Sequence, residues 1–117
     1  MRGTVLIVDD HPGFRAAARA LLEAADFDVV GEAEDGASAL AAVEELRPAI
    51  VLLDVKLPDL DGFAVAERLV ARADPPAIVL TSSRSASSFR WRLDDNPSWR
   101  FIAKSELSRE SLTAAVS

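Results

Sequence analysis

The sequence predicts an α/β fold in which a doubly wound, five-stranded parallel sheet carries helices on both faces. Apolar runs of four or five residues alternate with amphipathic stretches, the rhythm of successive βαβ units. The runs are nearly continuous rather than alternating, as expected of strands covered on both faces. Three of them end in charged residues, and in an open parallel sheet such C-terminal strand ends share one edge, where ligands bind.

Strand one is expected near residues 4–8, where Thr4 leads into Val5-Leu6-Ile7-Val8. Asp9-Asp10 follow, and Pro12 suits the first turn of a helix, with one of the two acids available as its N-cap. Phe14, Ala17, Ala18, Leu21 and Leu22 recur at helical spacing and read as the core face of that helix. Strand two, near 28–33, is the weakest: it has only Val29-Val30 before Gly31, and suits a sheet edge.

Asp35-Gly36 turns into a second helix with the stripe Ala39, Leu40 and Val43, and Pro48 stops it before strand three, near 49–53. Asp54 follows that strand. Asp61-Gly62 opens a third helix with the stripe Phe63, Ala66, Leu69 and Val70, and Pro75-Pro76 ends it before strand four, near 77–81. The serine-rich stretch from Ser82 to Ser88 has little helix propensity, and only Phe89 and Leu93 form an i,i+4 apolar pair. A poorly anchored, locally mobile fourth helix is therefore expected. Strand five lies near 100–103 and runs into Lys104; a last helix begins near Ser108 as N-cap, with Glu110 favourable in its first turn.

The chain has 117 residues, half of them hydrophobic, so residues 1–117 read as one domain with its own core. There are no cysteines, hence neither disulfides nor thiolate metal ligands, which suits a reducing compartment. The N-terminus lacks a signal-peptide h-region and no apolar stretch approaches membrane-spanning length, so a soluble, cytoplasmic protein is expected. With 19 acidic against 13 basic residues, a net charge of −6 and a pI near 4.7, a phosphate-backbone-binding surface is not expected. Arg84, Arg90, Arg92 and Arg100 form a local basic cluster around Trp91 and Trp99, which a solvated helix face explains as well.

The predicted topology brings Asp9, Asp10 and Asp54 into one acidic pocket with Lys104 as its fixed cation. Such carboxylates repel by about 4 kcal/mol per charged pair at 4 Å and an effective dielectric of 20. Protons or a hard divalent cation with oxygen coordination would neutralise them. Taken singly, each residue has an ordinary explanation as a helix cap, a loop acid or a surface lysine. The four together at the ends of strands one, three and five do not.

On these residues the chain resembles, over essentially its whole length, the receiver domains of two-component response regulators. The motifs are Val5-Leu6-Ile7-Val8-Asp9-Asp10, the run from Leu52-Leu53-Asp54 through Lys56-Leu57-Pro58 to Asp61-Gly62, Ile78-Val79-Leu80-Thr81-Ser82, and Phe101-Ile102-Ala103-Lys104. His11-Pro12 and Phe14-Arg15 are similar to the subfamily whose receivers usually precede a helix-turn-helix DNA-binding domain.

The resemblance implies the flavodoxin-like strand order 2-1-3-4-5 and a phosphorylation-controlled signalling switch. It implies no turnover enzyme, only self-phosphorylation and slow autodephosphorylation. Asp54 would accept a phosphoryl group, with Asp10 and Asp54 coordinating Mg2+ directly, Asp9 through water, and the Lys56 carbonyl as a further ligand. Thr81, Ser82 and Lys104 would form the phosphoryl-binding set, the small Ser82 leaving the site open to donor and water. Phe101 would change rotamer as Thr81 moves inward, re-presenting the surface of the fourth helix and strand five. The implied partner is a sensor histidine kinase or phosphotransfer protein. There is room for an effector domain beyond residue 117 and for homodimer formation on phosphorylation, while direct nucleic-acid or membrane contact is not expected.

Three features depart from the family pattern. Ser105 stands where a proline is common, so no cis-proline is expected; Asn96-Pro97-Ser98-Trp99 replaces a glycine-containing turn; and the fourth helix is unusually rich in serine and arginine. Rival readings fit less well. A haloacid-dehalogenase-type phosphatase would need an Asp-x-Asp after strand one, and a flavodoxin-like flavin carrier would need a hydroxyl- and glycine-rich loop that Asp-Asp-His-Pro cannot provide. A degenerate receiver would lack one of the acids or the lysine.

Overall fold

The computed structural model describes residues 3–116. Strands β1 (Thr4–Val8), β2 (Asp28–Ala33), β3 (Ile50–Asp54), β4 (Ala77–Ser82) and β5 (Arg100–Ala103) form one parallel sheet in the order β2-β1-β3-β4-β5. Helices α1 (Pro12–Ala24) and α5 (Arg109–Val116) cover one face; α2 (Gly36–Leu46), α3 (Gly62–Val70) and the short α4 (Arg90–Asp94) cover the other. This is the predicted doubly wound fold. Its parallel pairing explains the continuous apolar runs, because side chains alternate between two buried faces. Val5 and Ile7 join Leu52, Val79 and Ile102 beneath α1 and α5, while Leu6 and Val8 join Val51, Leu53, Ile78 and Leu80 beneath α2 and α3. Each such fully buried side chain contributes about 1.5–3 kcal/mol relative to leaving it in water.

The weak second strand is the sheet edge, and its register against β1 slips between Val5 and Leu6, leaving Val30 without a partner beside Gly31. The last helix starts as expected: Ser111 N–H donates to Ser108 Oγ and Ser108 N–H donates to Ser111 Oγ, a reciprocal cap.

Several expectations need correction. Neither Asp9 nor Asp10 caps α1; His11 holds the N-cap position without a side-chain cap, and the Asp9 carboxylate instead accepts the His11 N–H. Strand three runs one residue later than expected and takes in Asp54, and strand four extends to Ser82. Ala17 and Val70, assigned to core faces, point to solvent, because α1 and α3 each present only a narrow stripe to the sheet. Trp99 is buried, packed against Phe63 at 5.9 Å, so it does not share an exposed surface with Trp91, which is 69% exposed. The fourth helix is as weak as its composition predicts: a 3-10 turn (Ala86–Phe89) followed by the five residues of α4, with no fully buried side chain in either.

Candidate functional site

The C-terminal ends of β1, β3 and β5 converge on one point. β1 delivers Asp9, whose N–H donates to the Ala33 carbonyl of β2, and the chain then turns through Asp10 and His11 into α1. β3 delivers Asp54 in register with Thr81 of β4, and Lys104 follows β5 directly. The Lys104 ammonium sits 2.7 Å from Asp9 Oδ2, 3.4 Å from Asp54 Oδ2 and 4.4 Å from the centre of the Phe14 ring. The fixed cation expected from the sequence is thus shared by acids 45 residues apart, Asp9 and Asp54, on neighbouring strands.

Electrostatics separate the two acids. Burial raises the Asp9 carboxyl, but Lys104 and the His11 N–H and imidazole outweigh it and hold Asp9 below the usual carboxylate range. Burial also raises Asp54; the Lys56 N–H, donating to Oδ1 at 3.2 Å, and Lys104 offset this only in part, while the Asp9 charge adds to it. Asp54 therefore lies above the usual range.

Ligand atoms of Asp9, Asp10, His11 and Asp54 all fall within 4.8 Å of one another, with Asp9 and Asp54 buried and Asp10 and His11 exposed. Three carboxylates and a single shared ammonium leave negative charge uncompensated, and hard oxygen donors at this spacing fit a divalent cation. Thr81 Oγ1, fully buried, has no hydrogen-bond partner among the described residues, whereas the equally buried Asp9 Oδ2 is held by Lys104. Ser82 Oγ accepts the Arg84 N–H at 3.0 Å, which leaves its hydroxyl proton free to donate elsewhere.

An open cleft of about 940 Å³ leads from Asp54, Lys104 and Ser82 towards Phe63, Phe89 and Arg92. Its far wall is the β3–α3 loop, closed by an antiparallel bridge between Lys56 and Asp61. Gly62 is required there: a Cβ would overlap the Asp54 carbonyl and Val55 Cα, so the start of α3 can lie against the backbone of Asp54 only without a side chain. The same loop docks on α2 through Asp59, which accepts the Gly36 and Ala37 N–H groups at 2.7 and 3.0 Å; these amides hold its carboxyl below the usual range.

All the predicted site residues but one gather around this point. Phe101 lies apart, half-buried and 5.8 Å from Phe89. Lys56 contributes through its backbone, its side chain being exposed. Sequence reasoning gave no role to Arg15, whose Nη1 donates to the Asp9 carbonyl at 2.6 Å and whose Nε donates to Glu32 at 2.9 Å. Its signal was available, since Arg15 follows His11 by one helical turn and so reaches back over the acidic loop. Arg92, read from the sequence as part of a basic cluster or a solvated helix face, instead stacks 4.0 Å over Phe63 and pairs with Asp61 at 3.1 Å; nothing local in the sequence links residues on different helices.

The profile described as "Response regulator receiver domain" matches residues 5–117. Among curated proteins, the Bordetella pertussis virulence-factor transcription regulator BvgA is 36% identical over 115 residues, covering 98% of this chain and 55% of that protein. The DNA-binding transcriptional activator EvgA of Escherichia coli is 35% identical over 101 residues, covering 86% and 50%. The chain thus spans about half the length of these relatives. Among solved structures, the signal receiver domain of the response regulator NarL from Mycobacterium tuberculosis superposes with a TM-score of 0.79 at 31% identity, covering 97% of this chain and 95% of that one.

Proposed function

Because this chain belongs to the response regulator receiver domain family, in which a phosphorylation switch is the general function, we propose that Asp54 is its phosphoacceptor and that the domain is a signalling switch rather than a turnover enzyme. The observation that carries this reading is Lys104 Nζ set between Asp9 and Asp54 at the floor of an open cleft. An oxygen of Asp54 attacks the phosphorus of a phosphohistidine on a partner histidine kinase or phosphotransfer protein, the P–N bond breaks, and an aspartyl phosphate remains. The Lys56 N–H fixes the rotamer of the nucleophile. Lys104 is placed to pair with the phosphoryl oxygens, and Ser82 leaves room for donor and water.

Asp10, Asp54, the Lys56 carbonyl and, through water, Asp9 would hold Mg2+. When bound, that ion neutralises the carboxylates and the charge on the phosphoryl oxygens. The unpartnered hydroxyl of Thr81 supports a role in the switch, because a buried donor left unsatisfied costs about 1–3 kcal/mol and a phosphoryl oxygen on the neighbouring Asp54 would satisfy it. Movement of Thr81 frees space for Phe101, which touches Phe89 and so reaches the segment carrying α4. The relatives' greater length and their roles as transcription regulators support an output domain beyond residue 117.

The test is incubation with a small acyl phosphate or phosphoramidate and Mg2+. One phosphoryl group should be added, labile to hydroxylamine and absent from Asp54→Asn. Stable labelling of a serine would overturn the reading.

A further inference from the structure

His11 is the chain's single histidine and lies directly on the acidic pocket. Its backbone N–H donates to Asp9 Oδ1 at 2.8 Å, and the following Pro12 restricts it to an extended conformation, observed at φ −98° and ψ 109°. Both constraints turn the ring back over the acids. Nδ1 then lies 2.9 Å from Asp9 Oδ1 and 3.0 Å from Asp10 Oδ1, although the side chain is 68% exposed and could swing away.

These distances have a second meaning. In an octahedral shell of radius about 2.1 Å, adjacent donors lie about 3.0 Å apart and opposed donors about 4.2 Å apart. The imidazole–Asp10 distance matches an adjacent edge, and the 4.8 Å spread of the four donors leaves room for such a shell with Asp9 joined to it through water. Asp9 Oδ2 lies against Lys104 at 2.7 Å, so Asp9 lines the pocket through an ion pair, while the exposed Asp10 carboxylate faces the cleft beside His11.

We propose that His11 Nδ1 is a protein ligand of this pocket, and that it turns an oxygen-only magnesium site into one favouring borderline transition cations such as Ni2+ and Zn2+. Imidazole nitrogen binds these ions well, whereas Mg2+ prefers oxygen and gives up its waters reluctantly. The chain has no cysteine to compete for them. With the ring in its neutral form carrying the proton on Nε2, the Nδ1 lone pair faces the point on which the three carboxylates converge; without metal, an Nδ1–H donates to Asp9 and Asp10 instead.

The inference rests on the receiver reading for its oxygen ligands, yet the two can fail separately, since magnesium-dependent phosphorylation of the unaltered chain needs no imidazole. The tag-free protein is titrated calorimetrically with Ni2+ and with Mg2+, alongside His11→Phe and His11→Gln. Ni2+ binding should weaken by about tenfold or more in both variants, while Mg2+ binding changes by less than about threefold. The imidazole nitrogen resonances of the unaltered chain, unambiguous with one histidine, should shift with Zn2+ at Nδ1 and stay in place with Mg2+. If Ni2+ and Mg2+ affinities fall by the same factor, or the Nδ1 resonance ignores Zn2+, His11 is only a hydrogen-bonding strap across the two acids and the proposal is overturned.

Discussion

Asp9 and Asp54 share one lysine and differ in what else surrounds them. Asp9 has the His11 contacts in addition and stays ionised; Asp54 has one backbone N–H and a neighbouring charge, and is pushed up. The two have opposite linkage to stability. Asp9, lowered in the folded state, stabilises the fold above the unfolded carboxylate pKa and loses that contribution as pH falls through its own folded value. Asp54, raised in the folded state, binds more protons when folded, so stability falls as pH rises from the ordinary carboxylate value through the raised one. In chelator, Asp54→Asn should therefore melt a few degrees above the parent at pH 7, about 1 kcal/mol corresponding to roughly 4 °C in a domain of this size. The gap should close as the pH is brought below the ordinary carboxylate pKa. A variant less stable than the parent at pH 7 would mean that Asp54 is satisfied without a cation.

Among the elements, the segment from Ser83 to Asn96 is held most loosely. Among the described residues, Phe89, Leu93 and Arg92 tie it to the core: Phe89 lies 5.5 Å from Phe63, Leu93 packs on the same cluster, and Arg92 spans from Phe63 to Asp61. Asp61 also caps α3, its other oxygen accepting the Phe63 N–H at 2.8 Å, so one side chain joins the start of α3 to α4. A cation–π contact and a surface ion pair together contribute about 1 kcal/mol. Arg92→Ala should thus lower hydrogen-exchange protection across the segment about fivefold and leave β1 and β3 unchanged. If phosphorylation acts through Thr81 and Phe101, exchange over residues 82–103 should also change on phosphorylation, and Thr81→Ala should blunt that change. Identical exchange in all states would place the output surface elsewhere.

In the whole molecule, the acidic pocket is where carboxylates from the ends of β1 and β3 are held together against their own repulsion, with one lysine from the end of β5 between them. A divalent cation binding there stabilises the fold by linkage, about 2.7 kcal/mol at a hundred times its dissociation constant, or a rise in Tm of roughly 10 °C. Asp10→Ala should remove that rise, because the exposed Asp10 carboxylate belongs to the ligand set and holds no strand in place. Melting with and without Mg2+ is the check; an undiminished rise in the variant would mean that the cation binds elsewhere.

The alternation of buried strands and amphipathic helices, the acids after β1 and β3, the lysine after β5 and the poverty of the fourth helix were all legible in the chain. Each is a local pattern of burial or propensity, and the parallel topology then dictates that strand ends meet. What the chain could not disclose are relations between side chains distant in sequence: Arg15 reaching both the Asp9 carbonyl and Glu32, Arg92 crossing to Phe63 and Asp61, and Trp99 buried against Phe63 although it sits in an arginine-rich stretch. Nor could it say that the Asp9 carboxylate would accept from His11 rather than cap α1, since both uses ask for the same residue at the same place. Periodicity and residue type determined which residues lie at the sheet edge; packing distances decided which of them touch, and so which acid is held below the usual carboxylate range and which above it.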